Sequence, residues 1–300
     1  MDRREQDHWK DEALHVVLEA VASDPDLRRI LVLKGARALG RLLPGLSRMS
    51  LDIDAGLTGE LGTDAKEPRR MADRLQALFE RAVRTQIQDM DPLVYDLGRV
   101  AVDPVPPNGH PFGWQGYLVK IALQDRRRPG VLGIPALQLD VTAEEDLGPA
   151  ALTTLDIGGQ QIQAYSMTRQ TAEKLRAFLE SLPAHRSKIG SSRAKSVRVK
   201  DIADICRIVE HHPLSDEPFW SGVGAEFRRA CLSRYVDCRE PATFRQDLAV
   251  TARTYQDDTT LRGEPPFDAA WNRFETVLAR LDELSIFPVV APLPDGLAGH

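Results

Sequence analysis

Apolar side chains recur at helical spacing over residues 8–22, where Trp9, Leu14, Val17 and Val21 are flanked by Ala13, Val16 and Ala20. This pattern predicts an amphipathic helix, and Asp24-Pro25 ends it. Ile30 to Leu33 is a short continuous apolar run that predicts a buried strand; Gly35 then turns the chain into a helix over Arg37–Leu43, stopped by Pro44-Gly45. Ser50-Leu-Asp-Ile-Asp54 predicts a second strand. Side chains alternate across a strand, so Asp52 and Asp54 share one face while Leu51, Ile53 and Ala55 share the other. A helix follows from about Arg69 to Thr85, with Met71, Leu75, Leu78 and Ala82 inward, and then three strands near Arg99–Val102, Tyr117–Leu123 and Ala136–Val141. Beyond Tyr165 the period changes, and helices are expected near 168–183, 198–211, 222–235, 242–255 and 267–285. The expected organisation is therefore an α/β (α+β) lobe over residues 1–160 and a helical lobe over 161–300.

Composition narrows this picture without changing it. Hydrophobic residues make up 42% and charged residues 28% of the 300, as in an ordinary globular protein. No run of about 18 apolar residues is present, so no membrane span is expected. The segment Met1–His8 has no apolar stretch of a secretory signal, and Cys206, Cys231 and Cys238 have no zinc-type spacing; both point to a cytoplasmic protein without disulfides. The net charge of −5 means that any contact with a polyanion must come from a local basic patch.

The candidate chemistry begins at Asp52 and Asp54. Two carboxylates side by side repel, and a divalent cation bound by oxygen ligands relieves that repulsion. A helix opened by Gly35 lies just upstream, and its free N–H groups suit phosphate. Metal beside phosphate is the apparatus of nucleotidyl transfer. The alternative is an edge strand with two solvated aspartates. Asp140, alternating with Leu139 and Val141, is a candidate third carboxylate, either a metal ligand or a proton acceptor, and Lys120 has the same alternation; each is otherwise a surface charge. Lys174 lies beside the apolar stripe Ala172, Leu175, Leu179 and Leu182, where an ammonium would serve a triphosphate or merely snorkel. Asp201 and Asp204 share a helix face flanked by Arg198 and Arg207, which on spacing alone is a solvated ion-pair face. The run His185–Lys200 contains six Lys/Arg and no acid around Gly190-Ser-Ser192, a basic loop suited to RNA or triphosphate through Arg186, Lys188, Arg193 and Lys195.

Four segments in order resemble the AbiEii/AbiGii toxin family of nucleotidyltransferases, which includes the MenT-type toxins. Leu33-Lys-Gly-Ala-Arg-Ala-Leu39 with Arg48-Met-Ser-Leu-Asp-Ile-Asp54 is similar to the family's L-K-G-G-x-A-L and R-x-S-x-D-x-D. Leu137-Gln-Leu-Asp-Val141 resembles its later carboxylate strand, Ala172-Glu-Lys-Leu-Arg-Ala177 its A-E-K-x-x-A helix, and Arg198-Val-Lys-Asp-Ile-Ala-Asp204 its R-x-K-D-x-x-D helix. The match spans roughly residues 30–210, and an ordered set is far more specific than any single motif. The resemblance implies a polymerase-β-like nucleotidyltransferase core with a helical second lobe completing the active-site cleft. It places Ser50 and Asp52 on the catalytic S-x-D, Lys174 on the nucleotide-contacting lysine and Asp201 on the second-lobe aspartate. Gly35, Ala36 and Ser50 would line the nucleotide with Lys174; Ala36 departs from the family's second glycine and narrows the approach to phosphate.

The expected activity is that of a toxin that transfers NMP from an NTP to an RNA hydroxyl, at the tRNA 3′ end. Asp52, Asp54 and Asp140 would hold Mg²⁺ or Mn²⁺, with Lys174 and Asp201 completing the catalytic set. A cognate antitoxin encoded nearby is implied as partner. Two alternatives stand beside this: an aminoglycoside-type enzyme acting on a small molecule, and a non-catalytic binding module on the same fold.

Overall fold

Asp2 accepts the N–H of Glu5 at 2.9 Å while the Glu5 carboxylate accepts the N–H of Asp2 at 3.1 Å, a reciprocal cap that starts helix α1 (Arg3–Ser23). Asp24 both ends α1 and caps α2 (Pro25–Ile30), accepting the N–H groups of Asp26 and Leu27, each at 3.0 Å. The computed structural model describes residues 2–43, 51–58, 67–129, 135–190 and 196–294. Two units divide the chain: Met1–Glu145 with Thr153–Tyr165, and Asp146–Leu152 with Ser166–His300.

In unit 1, β1 (Leu31–Lys34) leads into α3 (Gly35–Leu42), followed by β2 (Ile53–Leu57), α4 (Pro68–Gln88), β3 (Tyr95–Val105), β4 (Gly116–Asp125) and β5 (Leu137–Thr142). A last hairpin joins β6 (Leu152–Ile157) to β7 (Gln160–Tyr165). It turns through Gly158 and Gly159 at φ +58° and +80°, the left-handed backbone that a two-residue hairpin turn needs. The seven strands lie in the order β3-β4-β5-β2-β1-β7-β6. Strand β2 runs antiparallel to β1 and parallel to β5, so Lys34 faces Asp54 across one pair and Asp54 faces Asp140 across the other.

Alternation then sorts the two faces of the sheet. Leu31, Leu33, Ile53, Ala55, Val119, Ile121, Leu139 and Val141 enter a core shared with Leu14 and Val17 of α1 and Met71, Leu75 and Phe79 of α4. Burying each such large apolar side chain contributes about 1.5–3 kcal/mol. The polar partners of the same alternation, Lys34, Asp54 and Asp140, fall on the opposite face.

Unit 2 is helical. Ser166 caps α5 (Met167–Ser181), which is followed by α6 (Pro183–Lys188), α7 (Val199–His211), α8 (Glu217–Ser233), α9 (Leu248–Asp257) and α10 (Phe267–Glu283). Phe178, Phe244, Trp271 and Phe274 form its aromatic centre, with Phe274 at 5.4–5.6 Å from the other three ring centroids. The single helix expected over 242–255 is instead a 3₁₀ turn, Pro241–Arg245, and then α9. Asp247 at φ +53° separates them, since one left-handed residue breaks the helical ladder.

Candidate functional site

Asp52 lies immediately before β2, two residues from Asp54, and Asp54 is in register with Asp140 of β5. The three carboxylates therefore share the sheet face that the core does not cover, with Asp52 and Asp140 exposed. The Asp140 carboxyl is held above the usual 3.8, first by partial burial and then by the negative charge of Asp52. Asp54 packs against the first residue of α3: a Cβ added to Gly35 would meet Asp54 Oδ2 at 2.0 Å. Gly35 also sits at φ +73°, so two independent constraints require glycine where the strand turns into the helix.

Among the described residues no three Asp, Glu, His or Cys side chains already converge on one point. The donor set still fits a hard divalent cation, because it is wholly carboxylate and the charge of Asp52 already raises the proton affinity of Asp140. Ser50 lies outside the described residues.

Lys34, the antiparallel neighbour of Asp54, does not pair with it. Its ammonium donates to Thr142 Oγ1 at 2.7 Å and to Glu145 Oε1 at 2.6 Å, and lies 5.5 Å from the centre of the Tyr165 ring. Tyr165 in turn donates its hydroxyl to Glu145 Oε2 at 2.9 Å. Of this group only Lys34 falls within a sequence motif, Leu33-Lys-Gly-Ala-Arg-Ala-Leu39; Glu145 and Tyr165 lie outside the motifs. Lys120 lies on the same face but bonds Asp103 of β3 at 3.0 Å.

The motif residues of the second unit meet each other. Lys174 of α5 donates to Asp201 Oδ1 at 3.3 Å and to Asp204 Oδ2 at 2.5 Å, and Arg198 Nε donates to Asp201 Oδ2 at 2.6 Å. Lys174 is 7%, Asp201 2% and Asp204 3% exposed. The solvated face expected at Asp201 and Asp204 is thus a buried ion cluster, because α7 turns it toward α5 instead of toward water. Arg207, expected beside it, pairs with Glu264 and Glu210 instead. Burial works against the charge of Asp201, and the neighbouring Lys174 and Arg198 outweigh it, holding the carboxyl below its usual range.

The expected basic loop begins as a helix: Arg186 and Lys188 lie on α6. Lys188 bonds Asp237 at 2.8 Å and the Ala291 carbonyl at 2.5 Å, so its charge is already engaged within unit 2. Arg193 and Lys195 lie outside the described residues. No described helix is long and apolar enough to cross a membrane.

Comparison with known proteins gives these sites a family. No curated protein matches the chain. Among solved structures, the nucleotidyltransferase toxin MenT4 from Mycobacterium tuberculosis H37Rv aligns with a TM-score of 0.50 at 16% identity, over 94% of this chain and 87% of that one. A protein from H. pylori described as a nucleotidyltransferase aligns with a TM-score of 0.49 at 12% identity, over 95% and 97%. Identities this low speak of fold alone: a mixed α/β nucleotidyltransferase core joined to a helical unit. The family model described as "Nucleotidyl transferase AbiEii toxin, Type IV TA system" matches residues 16–284, and the chain belongs to that family.

Proposed function

We propose that this chain transfers a nucleoside monophosphate from an NTP to an RNA hydroxyl, with the 3′ end of a tRNA as acceptor, and that an antitoxin encoded nearby restrains it. One observation carries the reading. Asp52, Asp54 and Asp140 stand on the sheet face opposite the core of unit 1, beside a helix opened by Gly35. In the proposed reaction the RNA hydroxyl oxygen bonds to the α-phosphorus, the bond to the bridging oxygen breaks, and pyrophosphate leaves. The hydroxyl proton passes to water or, where Asp140 does not ligate the metal, to the Asp140 carboxylate.

Divalent metal ions held by Asp52, Asp54 and Asp140 would neutralise charge developing on the phosphate oxygens. For Lys174 and Asp201 the proposal is one of charge: Lys174 serves the triphosphate, and Asp201, with Asp204, holds that ammonium in one place. Arg186, Arg193 and Lys195 are proposed to grip RNA phosphates, with Lys188 held by Asp237 and so contributing less.

The test is incubation of the purified protein with each labelled NTP and total RNA, followed by gel analysis. Label appearing in a tRNA-sized band, and lost in Asp52→Asn, supports the reading. Label transferred to an aminoglycoside with none in RNA moves the assignment to a small-molecule enzyme. No transfer to either acceptor with any NTP leaves a binding module. Neutralising Arg186, Arg193 and Lys195 together should lower the log–log salt slope of RNA binding by roughly 0.7 for each phosphate that the protein no longer neutralises.

A further inference from the structure

Lys34 is the cation nearest in register to the carboxylate row, yet its charge is directed elsewhere. Directly opposed residues of an antiparallel pair bring their Cβ atoms to about 4.5–5.5 Å, well within the reach of a lysine for an aspartate. Lys34 and Asp54 are such a pair. The Lys34 ammonium nevertheless bonds Thr142 and Glu145 and not Asp54. The next residue of β2 on that face is Gly56, where an added Cβ would lie 3.6 Å from the Tyr165 hydroxyl and 3.8 Å from Thr142 Oγ1. At Gly56, therefore, β2 places no side chain against Tyr165 and Thr142.

Glu145 is built to hold the lysine there. Its side chain is 5% exposed, against 14% for that of Lys34, and its second oxygen accepts the Tyr165 hydroxyl. A buried ion pair is costly to desolvate and adds little net stability, so stability alone is a weak reason for it. Its position beside Asp54 suggests a different use. A lysine paired with Asp54 would neutralise one ligand of a divalent cation and compete with that cation for it.

We infer that Glu145, oriented by Tyr165, is a positioning residue that parks Lys34 away from Asp54 and thereby keeps the lysine from competing with metal for that carboxylate. The inference rests on Asp54 being a metal ligand. Glu145 acts through Lys34, and the acid at 145 matters only while a lysine stands at 34.

That dependence gives the test. Mn²⁺ binding to the purified protein is measured by electron paramagnetic resonance without nucleotide, alongside the Mg²⁺ concentration needed for half-maximal transfer. Glu145→Gln should weaken Mn²⁺ binding about tenfold, as Lys34 swings to Asp54. Lys34→Met should bind Mn²⁺ at least as well as the natural chain, and Lys34→Met with Glu145→Gln should restore binding to within about threefold. Tyr165→Phe, which keeps the ring and both charges, should give a smaller loss in the same direction. Equal losses in Glu145→Gln and in the double variant would show Glu145 to be structural and overturn the inference. Weakened binding in Lys34→Met would overturn it too. If the natural chain binds no Mn²⁺ and Asp52→Asn changes nothing, the metal-site reading falls and this inference with it. Binding that Asp52→Asn abolishes but Glu145→Gln leaves untouched removes only the inference.

Discussion

Two clusters of acids, the aspartates on the sheet of unit 1 and those around Lys174 in unit 2, follow opposite rules. On the sheet of unit 1, Asp52 and Asp140 are exposed, and the nearest cation in register, Lys34, is bonded to other groups. Asp140 accordingly holds its proton more tightly than a free aspartate, with partial burial the larger cause and Asp52 the second. In unit 2, Asp201 and Asp204 are almost wholly buried around Lys174, and Asp201 holds its proton less tightly than usual. In the proposed function the first cluster takes its cation from outside, as a divalent metal. The second cluster already contains its cation.

The comparison breaks most sharply at Asp52. Asp52→Asn keeps shape and removes charge, so transfer should fall by on the order of a thousandfold while the unfolding midpoint stays the same. Labelled-NTP transfer and urea unfolding, run on one preparation, check both halves. A variant that kept its activity would return the aspartates to an ordinary solvated strand.

Lys174→Met should do the reverse to stability. It leaves Asp201 and Asp204 buried without the ammonium between them, and removing one partner of a buried ion pair costs about 3–5 kcal/mol. Urea unfolding followed by tryptophan fluorescence, for which unit 2 carries Trp220 and Trp271, reads that loss. Lys120→Met provides the control: its pair with Asp103 is largely exposed, and its removal should cost under about 1 kcal/mol. A loss from Lys174→Met as small as that of the control would mean the cluster is not a structural ion pair.

What the sequence revealed follows from the same contrast. The D-x-D strand and the Asp140 strand were legible because alternation is local, and the helices of unit 2 because their apolar period is long. The pairing of Asp54 with Asp140 was not legible, since 85 intervening residues separate them and only the sheet order brings them side by side. Asp201 and Asp204 showed the i, i+3 spacing of a surface ion-pair face, and nothing in one helix says that its neighbour will cover that face. Glu145 and Tyr165 escaped notice for the same reason: a residue at the end of a strand acquires its role from what crosses it. The β6–β7 hairpin was a different kind of miss, for Gly158-Gly159 between two short alternating segments is a recognisable turn signal.

Gly35 offers a middle-sized test within unit 1. A side chain at φ +73° costs roughly 1–2 kcal/mol, and the Cβ of Gly35→Ala would also displace the Asp54 carboxylate. The expected result is a modest drop in unfolding midpoint with a larger drop in Mn²⁺ affinity. Gly40→Ala, in the same helix with open space around its Cβ, should cost nothing and is the matched control. Equal effects from the two would leave Gly35 a helix-propensity matter only.

The smallest expected effect is a difference in sign with pH. Asp201 has a lowered folded pKa, so its stabilisation is present above the unfolded value near 3.8 and is lost as pH falls through the lower folded value. Asp140 has a raised folded pKa, so its contribution is most favourable below 3.8 and is lost as pH rises through the folded value. At neutral pH, without divalent metal, Asp140 therefore opposes folding while Asp201 supports it. Asp140→Asn should then unfold at slightly higher urea than the natural chain at pH 7, and the advantage should shrink as pH is lowered toward 4. Added Mg²⁺ should reverse the order at pH 7, because only the natural chain keeps all three carboxylates for the ion. An Asp140→Asn variant less stable than the natural chain in metal-free buffer at pH 7 would show that Asp140 is held by a favourable partner, and the contrast between the two clusters would fail at that residue.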